Sequence, residues 1–67
     1  MSNKRQWLKD IRNEKGLTMN TVSVQSGISK TYYDKIERGE RNASVKVAKR
    51  IAQTLGFPWG RFFEEVS

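Results

Sequence analysis

The sequence predicts an all-α fold, on three observations. Apolar residues recur three and four positions apart along most of the chain, as on the buried face of a helix. Gly16, Gly27, Gly39 and Gly56 each follow a helix-compatible stretch, the usual place for a glycine that ends a helix. No stretch alternates between apolar and polar residues as a strand does. We therefore expect a compact, five-helix domain that takes in the whole chain, residues 1–67.

The predicted helices cover residues 3–15, 18–26, 29–38, 44–55 and 58–65. The candidate N-caps of the first four are Ser2 or Asn3, Thr18, Ser29 and Ser44. Pro58, the only proline, suits the first turn of the last helix. Gly60 falls inside that helix and has no capping role there.

The predicted core residues share helical spacing within their segments. They are Trp7, Leu8 and Ile11; Val22 with the small Ser23; Tyr33 and Ile36; and Val45, Ala48, Ile51, Ala52 and Leu55. Leu17 and Ile28 lie at helix junctions, where they can fill the space between helices.

The connection between the second and third helices is the most informative feature. It reads Ser26-Gly27-Ile28-Ser29, in which the glycine can end one helix and Ser29 can cap the next. Helices joined this closely cross steeply, so residues 18–38 predict a helix-turn-helix. The helix that begins at Lys30 carries cations and hydrogen-bonding groups away from its apolar face, which suits the major groove of DNA.

Composition narrows the function classes. The 67 residues allow one small domain, and the absence of cysteine and histidine excludes disulfides, thiol chemistry and the commonest metal ligand and general base. Thirteen Lys and Arg against seven Asp and Glu give a net charge of +6, which favours a polyanionic partner. With no transmembrane run or signal peptide, we expect a cytosolic protein without a membrane contact. We expect no cofactor, metal or small-molecule ligand.

With these features in place, the sequence resembles the lambda-repressor-like and Cro-like (XRE-type) helix-turn-helix family of phage and bacterial regulators. The resemblance covers about residues 5 to 63 and rests on the order and spacing of Arg12, Lys15-Gly16-Leu17-Thr18, Gly27-Ile28-Ser29, Ile36-Glu37-Arg38-Gly39, Arg41-Asn42, Ser44, Ile51-Ala52 and Leu55-Gly56. It implies a lambda-repressor-like domain whose third helix enters the major groove of double-stranded DNA.

The resemblance also implies a set of DNA contacts. Lys30, Thr31 and Lys35 are the expected base-contacting residues. The expected phosphate-contacting residues are Thr18, Asn20, Tyr32, Arg38, Arg41, Asn42 and Lys46. Tyr33 takes the position of an aliphatic core residue, and Arg12 and Glu37 match positions that form a buried ion pair.

The sequence departs from the family pattern at two positions. Met19 replaces a glutamine whose amide bonds a phosphate, so either Asn20 or the backbone N–H must supply that contact. Ala43 replaces a common proline in the loop before the fourth helix.

The C-terminal segment concentrates Phe57, Trp59, Phe62 and Phe63 within seven residues. By family position the first three point inward, whereas Arg61 and Phe63 lie where relatives meet across a two-fold axis. We therefore expect a weak homodimer, or a dimer assembled on DNA. The alternative is that all four aromatic residues belong to the core.

The leading functional prediction is a sequence-specific regulator that occupies a palindromic operator, most simply a phage- or mobile-element-type repressor. The alternative is an antitoxin or accessory protein-interaction module in which DNA binding is secondary. An enzyme is disfavoured because no paired residues at catalytic spacing occur, and no recognised RNA-binding module is present.

Overall fold

The computed structural model describes residues 5–64, and their regular elements are helical throughout. The α-helices are α1 (Gln6–Glu14), α2 (Met19–Ser26), α3 (Lys30–Arg38) and α4 (Val45–Leu55), followed by a 3₁₀ helix at Trp59–Phe63. The predicted all-α class is confirmed.

The predicted fifth α-helix is wrong in type. The segment makes a single short 3₁₀ helix, in which the Arg61 N–H donates to the Pro58 carbonyl at 3.0 Å and the Glu64 N–H to the Arg61 carbonyl at 3.2 Å. These bonds span three residues, not four, and such helices rarely extend beyond about four residues. Gly60, which favours no helical conformation, lies in the middle of this turn.

Hydroxyl side chains start three of the four α-helices as predicted. Thr18, Ser29 and Ser44 each accept a hydrogen bond from the backbone N–H three residues on, at 3.0 to 3.2 Å. The first helix begins later than predicted, at Gln6, and its N-cap is Arg5, which makes no side-chain capping bond. The predicted caps Ser2 and Asn3 lie outside the described residues.

The turn between α2 and α3 depends on Gly27. Its φ of 74° lies in the left-handed region, and a Cβ there would come within 2.9 Å of an Arg50 guanidinium nitrogen. The Gly27 N–H donates to the Val24 carbonyl and the Ile28 N–H to the Ser23 carbonyl, which closes the end of α2. The helix-turn-helix therefore takes its sharp bend where the sequence predicts it.

The core lies between the four helices and the C-terminal turn. Its fully or almost fully buried apolar residues are Leu8, Val22, Tyr33, Ile36, Ala43, Ala48, Ile51, Ala52, Leu55 and Phe62. The prediction for Val45 is wrong: its side chain is 50% exposed. Val45 is the first residue of α4; Val47 is partly buried against the core, and full burial begins at Ala48.

Trp7 of α1 forms an aromatic cluster with Phe57 and with Phe62 of the C-terminal turn, with ring centroids 5.2 to 5.6 Å apart. Trp59 does not join them, contrary to expectation. It is 39% exposed and packs edge-on against Phe63, which is itself 45% exposed. Because Trp59 and Phe63 are both exposed, the alternative in which all four C-terminal aromatics are core is also wrong.

Across residues 5–64 no helix combines the length and apolar character needed to cross a membrane. The cytosolic location stays a prediction.

Candidate nucleic-acid interface

Helix α3 presents one buried and one exposed face. Tyr33, Ile36 and Glu37 face the interior. Lys30, Thr31, Lys35 and Arg38 are exposed, so the three predicted base-contacting side chains all lie on the free side of the helix. An apolar stripe that fixes the helix while cations project outward is the arrangement that a groove-reading helix needs.

Two of these side chains border a shallow depression of about 250 Å³. Thr31 and Lys35 line it together with Ser29, Tyr32 and Arg41. The depression joins the exposed face of α3 to the loop that follows the helix, residues 39–44. One surface therefore contains both predicted base-contacting residues, Thr31 and Lys35, and predicted phosphate-contacting residues, Tyr32 and Arg41.

Arg12 and Glu37 join α1 to the last turn of α3. The Arg12 Nε donates to Glu37 Oε2 at 2.8 Å and Nη2 donates to Oε1 at 3.1 Å, while Nη1 donates to the Leu17 carbonyl at 3.0 Å. Both side chains are almost fully buried, with 10% and 5% of their surface exposed. The hydrogen bonds that Arg12 donates to the Glu37 carboxylate raise the pKa of Arg12, against the opposing effect of burial. The guanidinium therefore stays charged.

The Tyr33 hydroxyl lies beside this ion pair. Tyr33 is fully buried, and its hydroxyl makes no hydrogen bond of good geometry within the described residues. Burial raises the pKa of Tyr33 far above its ordinary value, and the Glu37 carboxylate raises it further. The residue is a core side chain with a neutral polar end, in keeping with its predicted place.

The loop after α3 carries Arg41 and Asn42, both exposed. The side chain of Arg5, which is 4% exposed, holds this loop from the core side. The Arg5 guanidinium donates to the Ile36 carbonyl at 2.7 Å, to the Arg41 carbonyl at 2.8 Å and to Asn42 Oδ1 at 3.1 Å. The same group lies 5.4 Å from the centre of the Phe62 ring.

Tyr32 holds the same loop from the outer side. Its hydroxyl donates to the Asn42 carbonyl over a long 3.5 Å, and the Arg41 guanidinium lies 5.6 Å from the centre of its ring. In this structure Tyr32 therefore contacts the loop. Because the bond is long, the hydroxyl can exchange it for a stronger charge-assisted bond to a phosphate.

The start of α2 offers a second candidate phosphate site. Thr18 Oγ1 accepts from the Thr21 N–H at 3.1 Å, so this side chain is committed to capping. Asn20 is exposed, and the first backbone N–H groups of a helix have no partner within it. Met19 is partly buried and packs against the core, so it takes no polar role.

Two further cations differ in their surroundings. Arg38 is 60% exposed and lies 3.3 Å from Asp34 and 3.7 Å from Glu40, so its charge is partly offset. Lys46 is exposed in the first turn of α4. Lys46 and Arg41 are therefore the better candidates for a phosphate contact.

Arg61, predicted to lie at a dimer contact, is exposed, and its guanidinium lies 4.6 Å from the centre of the Trp7 ring. Phe63 is exposed beside Trp59, whose other neighbour is the Lys49 ammonium, 5.0 Å from its ring centre. Arg61 and Phe63 are both surface residues of the C-terminal turn.

Sequence reasoning missed Arg5. Nothing in its local pattern separates it from the other cations near the N-terminus, because its acceptors are backbone and side-chain groups 31 to 37 residues away. The role of Arg5 becomes evident only in the folded structure, where the start of α1 lies beside the end of α3.

The sequence matches the helix-turn-helix family over residues 8–62. It is 48% identical over 62 residues to YqaF of Bacillus subtilis (strain 168), an uncharacterized HTH-type transcriptional regulator; the match covers 92% of this chain and 82% of the relative.

Two other relatives extend the comparison. The HTH-type transcriptional regulator SlrR of Bacillus subtilis (strain 168) is 47% identical over 45 residues, which cover 66% of this chain and 30% of the relative. Control protein C.MunI of a Mycoplasma species is 33% identical over 60 residues, which cover 88% of this chain and 81% of the relative.

Proposed function

This chain belongs to the helix-turn-helix family, and on that premise we propose that it is a transcriptional regulator that reads double-stranded DNA with the exposed face of α3. The family and the regulator names of its relatives indicate a DNA-binding regulator and no enzyme. The observation that carries the finer proposal is the surface formed by Lys30, Thr31 and Lys35 on a helix that is fixed to the core.

We assign base recognition to these three side chains. Lysine can donate to guanine O6 and N7, and the threonine methyl can contact the methyl group of thymine. Helix α3 is held to the core by the Arg12–Glu37 pair and by the buried Tyr33 and Ile36. Its exposed side chains therefore enter the groove on a helix whose position is already set.

We assign backbone binding to the residues around α3. They are Thr18, Asn20, Tyr32, Arg38, Arg41, Asn42 and Lys46, with Thr18 acting through the helix end that it caps. The exposed positions of Arg41 and Lys46 and the net charge of +6 support this assignment. Such contacts set the orientation of the protein on the duplex and supply sequence-independent affinity.

The regulator would act as a phage- or mobile-element-type repressor that occupies a pseudo-palindromic operator and blocks polymerase. Two copies would each read one half-site, with the half-sites about one helical turn apart. The exposed Arg61 and Phe63 on the C-terminal turn support a weak contact between the two copies.

The test is enrichment of genomic DNA fragments on the purified protein at moderate salt, followed by sequencing. A single enriched pseudo-palindrome is expected. The control is the Lys30→Ala/Lys35→Ala variant, which keeps the core and should retain weak binding but lose the enriched sequence. Uniform recovery of fragments by the wild-type protein would overturn sequence-specific recognition.

A further inference from the structure

We propose that Arg5 is a positioning residue for DNA binding: it fixes the loop of Arg41 and Asn42 to the end of α3 so that both side chains meet the phosphate backbone already ordered. The inference rests on the proposed function. It goes further by giving a DNA-binding role to a buried side chain that cannot itself touch the duplex.

The first support is the position of the guanidinium at the C-terminal end of α3. The last carbonyls of a helix lack partners within it, and a cation is favoured there. Arg5 donates to the Ile36 carbonyl in that last turn at 2.7 Å, as a second donor beside the N–H of Gly39, which follows the helix, at 3.0 Å. It thus ties the start of α1 to the end of the helix that reads DNA.

The second support is that the same group continues into the loop. It donates to the Arg41 carbonyl at 2.8 Å and to Asn42 Oδ1 at 3.1 Å. The rigid planar fork of arginine can hold several acceptors at once, which a lysine ammonium on a flexible stem does less well. Backbone and side chain of the loop are therefore fixed together.

The bond to Asn42 also selects the orientation of its amide. Because Arg5 is only a donor, it holds the Oδ1 end of the group. The Nδ2 hydrogens, the part of the amide that can donate to a phosphate oxygen, are left for another acceptor. A flipped amide would present a donor to a donor, so Arg5 sets the orientation that binding requires.

The third support is that the loop is held from both sides. Tyr32 contacts it from outside through the Asn42 carbonyl and the Arg41 guanidinium. Arg5 contacts it from inside and rests on the Phe62 ring. Ordering these side chains before binding reduces the entropy cost of binding the DNA.

The experiment titrates a mixed-sequence DNA duplex, about two helical turns long, by fluorescence anisotropy at several salt concentrations. The variants are Arg5→Met, Arg5→Lys, and Arg41→Ala/Asn42→Ala with and without Arg5→Met. Lys9→Met is the matched control, because it removes one exposed α1 cation outside the proposed interface. Circular dichroism establishes that each variant is folded at the temperature used.

Arg5→Met should weaken binding and make the slope of log affinity against log salt shallower by about 0.9 for each phosphate that the protein no longer neutralises. Since Arg5 is 4% exposed, this change cannot come from a phosphate contact of its own. Lys9→Met should keep the wild-type slope. Arg5→Lys keeps the charge but not the planar fork, so its salt slope should lie between those of Arg5→Met and Lys9→Met. If Arg5→Met does not fold, the Arg5→Lys variant provides the test.

The loop variant separates positioning from general stability. In the Arg41→Ala/Asn42→Ala background, adding Arg5→Met should change affinity by less than about twofold, since the side chains that it positions are gone. Two results would overturn the positioning role of Arg5 but leave the proposed phosphate contacts standing. One is an equal loss of affinity when Arg5→Met is added in either background. The other is a wild-type salt slope for both Arg5 variants while the loop variant binds weakly. A wild-type affinity for the loop variant would instead refute the proposed phosphate contacts, and the positioning role with them.

Discussion

Arg12 and Glu37 face each other with two parallel hydrogen bonds, Nε to Oε2 at 2.8 Å and Nη2 to Oε1 at 3.1 Å. The remaining arm of the guanidinium donates to the Leu17 carbonyl at 3.0 Å, just before α2. One buried cation thus connects α1, the start of the helix-turn-helix and the end of α3. The pair therefore holds α3 to α1 from the buried side, opposite the exposed face of α3.

Removing either partner should destabilise the protein strongly. Arg12→Met or Glu37→Leu strands the other charge in the interior, and such a change costs about 3–5 kcal/mol in the free energy of unfolding. The double variant Arg12→Met/Glu37→Leu should lose much less than the sum of the two, since no buried charge is left. Urea unfolding monitored by circular dichroism gives the three values.

The Asp34–Arg38 pair is the matched control for that cycle. It is also formed by oppositely charged residues, both in α3, but Arg38 is 60% exposed. Asp34→Ala and Arg38→Ala should each change stability by no more than about 1 kcal/mol. Additive losses for the Arg12 and Glu37 variants would show that these two residues are not coupled.

Tyr33→Phe tests the buried hydroxyl beside the ion pair. Because that hydroxyl makes no hydrogen bond of good geometry with the described residues, its removal should leave stability at neutral pH unchanged within about 1 kcal/mol, or raise it. The effect should differ at high pH. Burial raises the folded-state pKa of Tyr33 above the unfolded value near 10.0, so only the unfolded state loses this proton as the pH rises.

The protonated Tyr33 hydroxyl therefore makes its full contribution to the free energy of unfolding below about pH 10. That contribution is lost as the pH rises above the pKa of tyrosine in the unfolded state. Thermal unfolding from pH 8 upward should show a steeper fall for the wild type than for Tyr33→Phe. All other side chains are the same in the two proteins, so their contributions cancel in the comparison. Parallel curves would contradict the raised pKa.

Local chemistry explains why much of the fold could be predicted from the sequence. Thr18, Ser29 and Ser44 act through backbone groups three residues away, and Gly27 acts through its own φ, so a short window contains each signal. The spacing of Ala48, Ile51 and Leu55 likewise reports one buried face of one helix.

The remaining features depend on residues distant in sequence. Trp59 lies outside the aromatic cluster, in which Trp7 from the far end of the sequence packs against Phe57 and Phe62. The role of Arg5 depends on acceptors at the other end of the helix-turn-helix. Propensity and spacing contain neither kind of information, so these features required the packed structure.

Lys30 and Arg41 should affect DNA binding in different ways. Lys30→Ala should cost about 1–3 kcal/mol on the operator and relax base preference, because a base contact discriminates between sequences. Arg41→Ala should weaken operator and random DNA similarly and reduce the salt slope by about 1. Anisotropy titrations of both duplexes measure the two effects, and equal losses on operator and random DNA for Lys30→Ala would remove it from the base-reading set.

The C-terminal turn should supply a weak contact between two DNA-bound copies. Phe63 exposes nearly half of its surface, and Arg61 is exposed on the same turn, beside the Trp7 ring. An interface of so few residues is small, so association in free solution should be weak. On an operator with two half-sites, Phe63→Ala and Arg61→Glu should reduce cooperative binding by roughly tenfold, which corresponds to about 1.4 kcal/mol.

Gel-shift titration with one and two half-sites measures that cooperativity directly. Lys9→Glu on the exposed face of α1 makes the same change in charge as Arg61→Glu without altering the C-terminal turn, so it serves as the electrostatic control. Affinity for a single half-site should remain close to wild type for Phe63→Ala, because that side chain lies on the surface away from the core cluster. If the wild-type protein fills two half-sites as independent single sites, or if Lys9→Glu reduces cooperativity as much as Arg61→Glu, the C-terminal turn is not a contact between the copies.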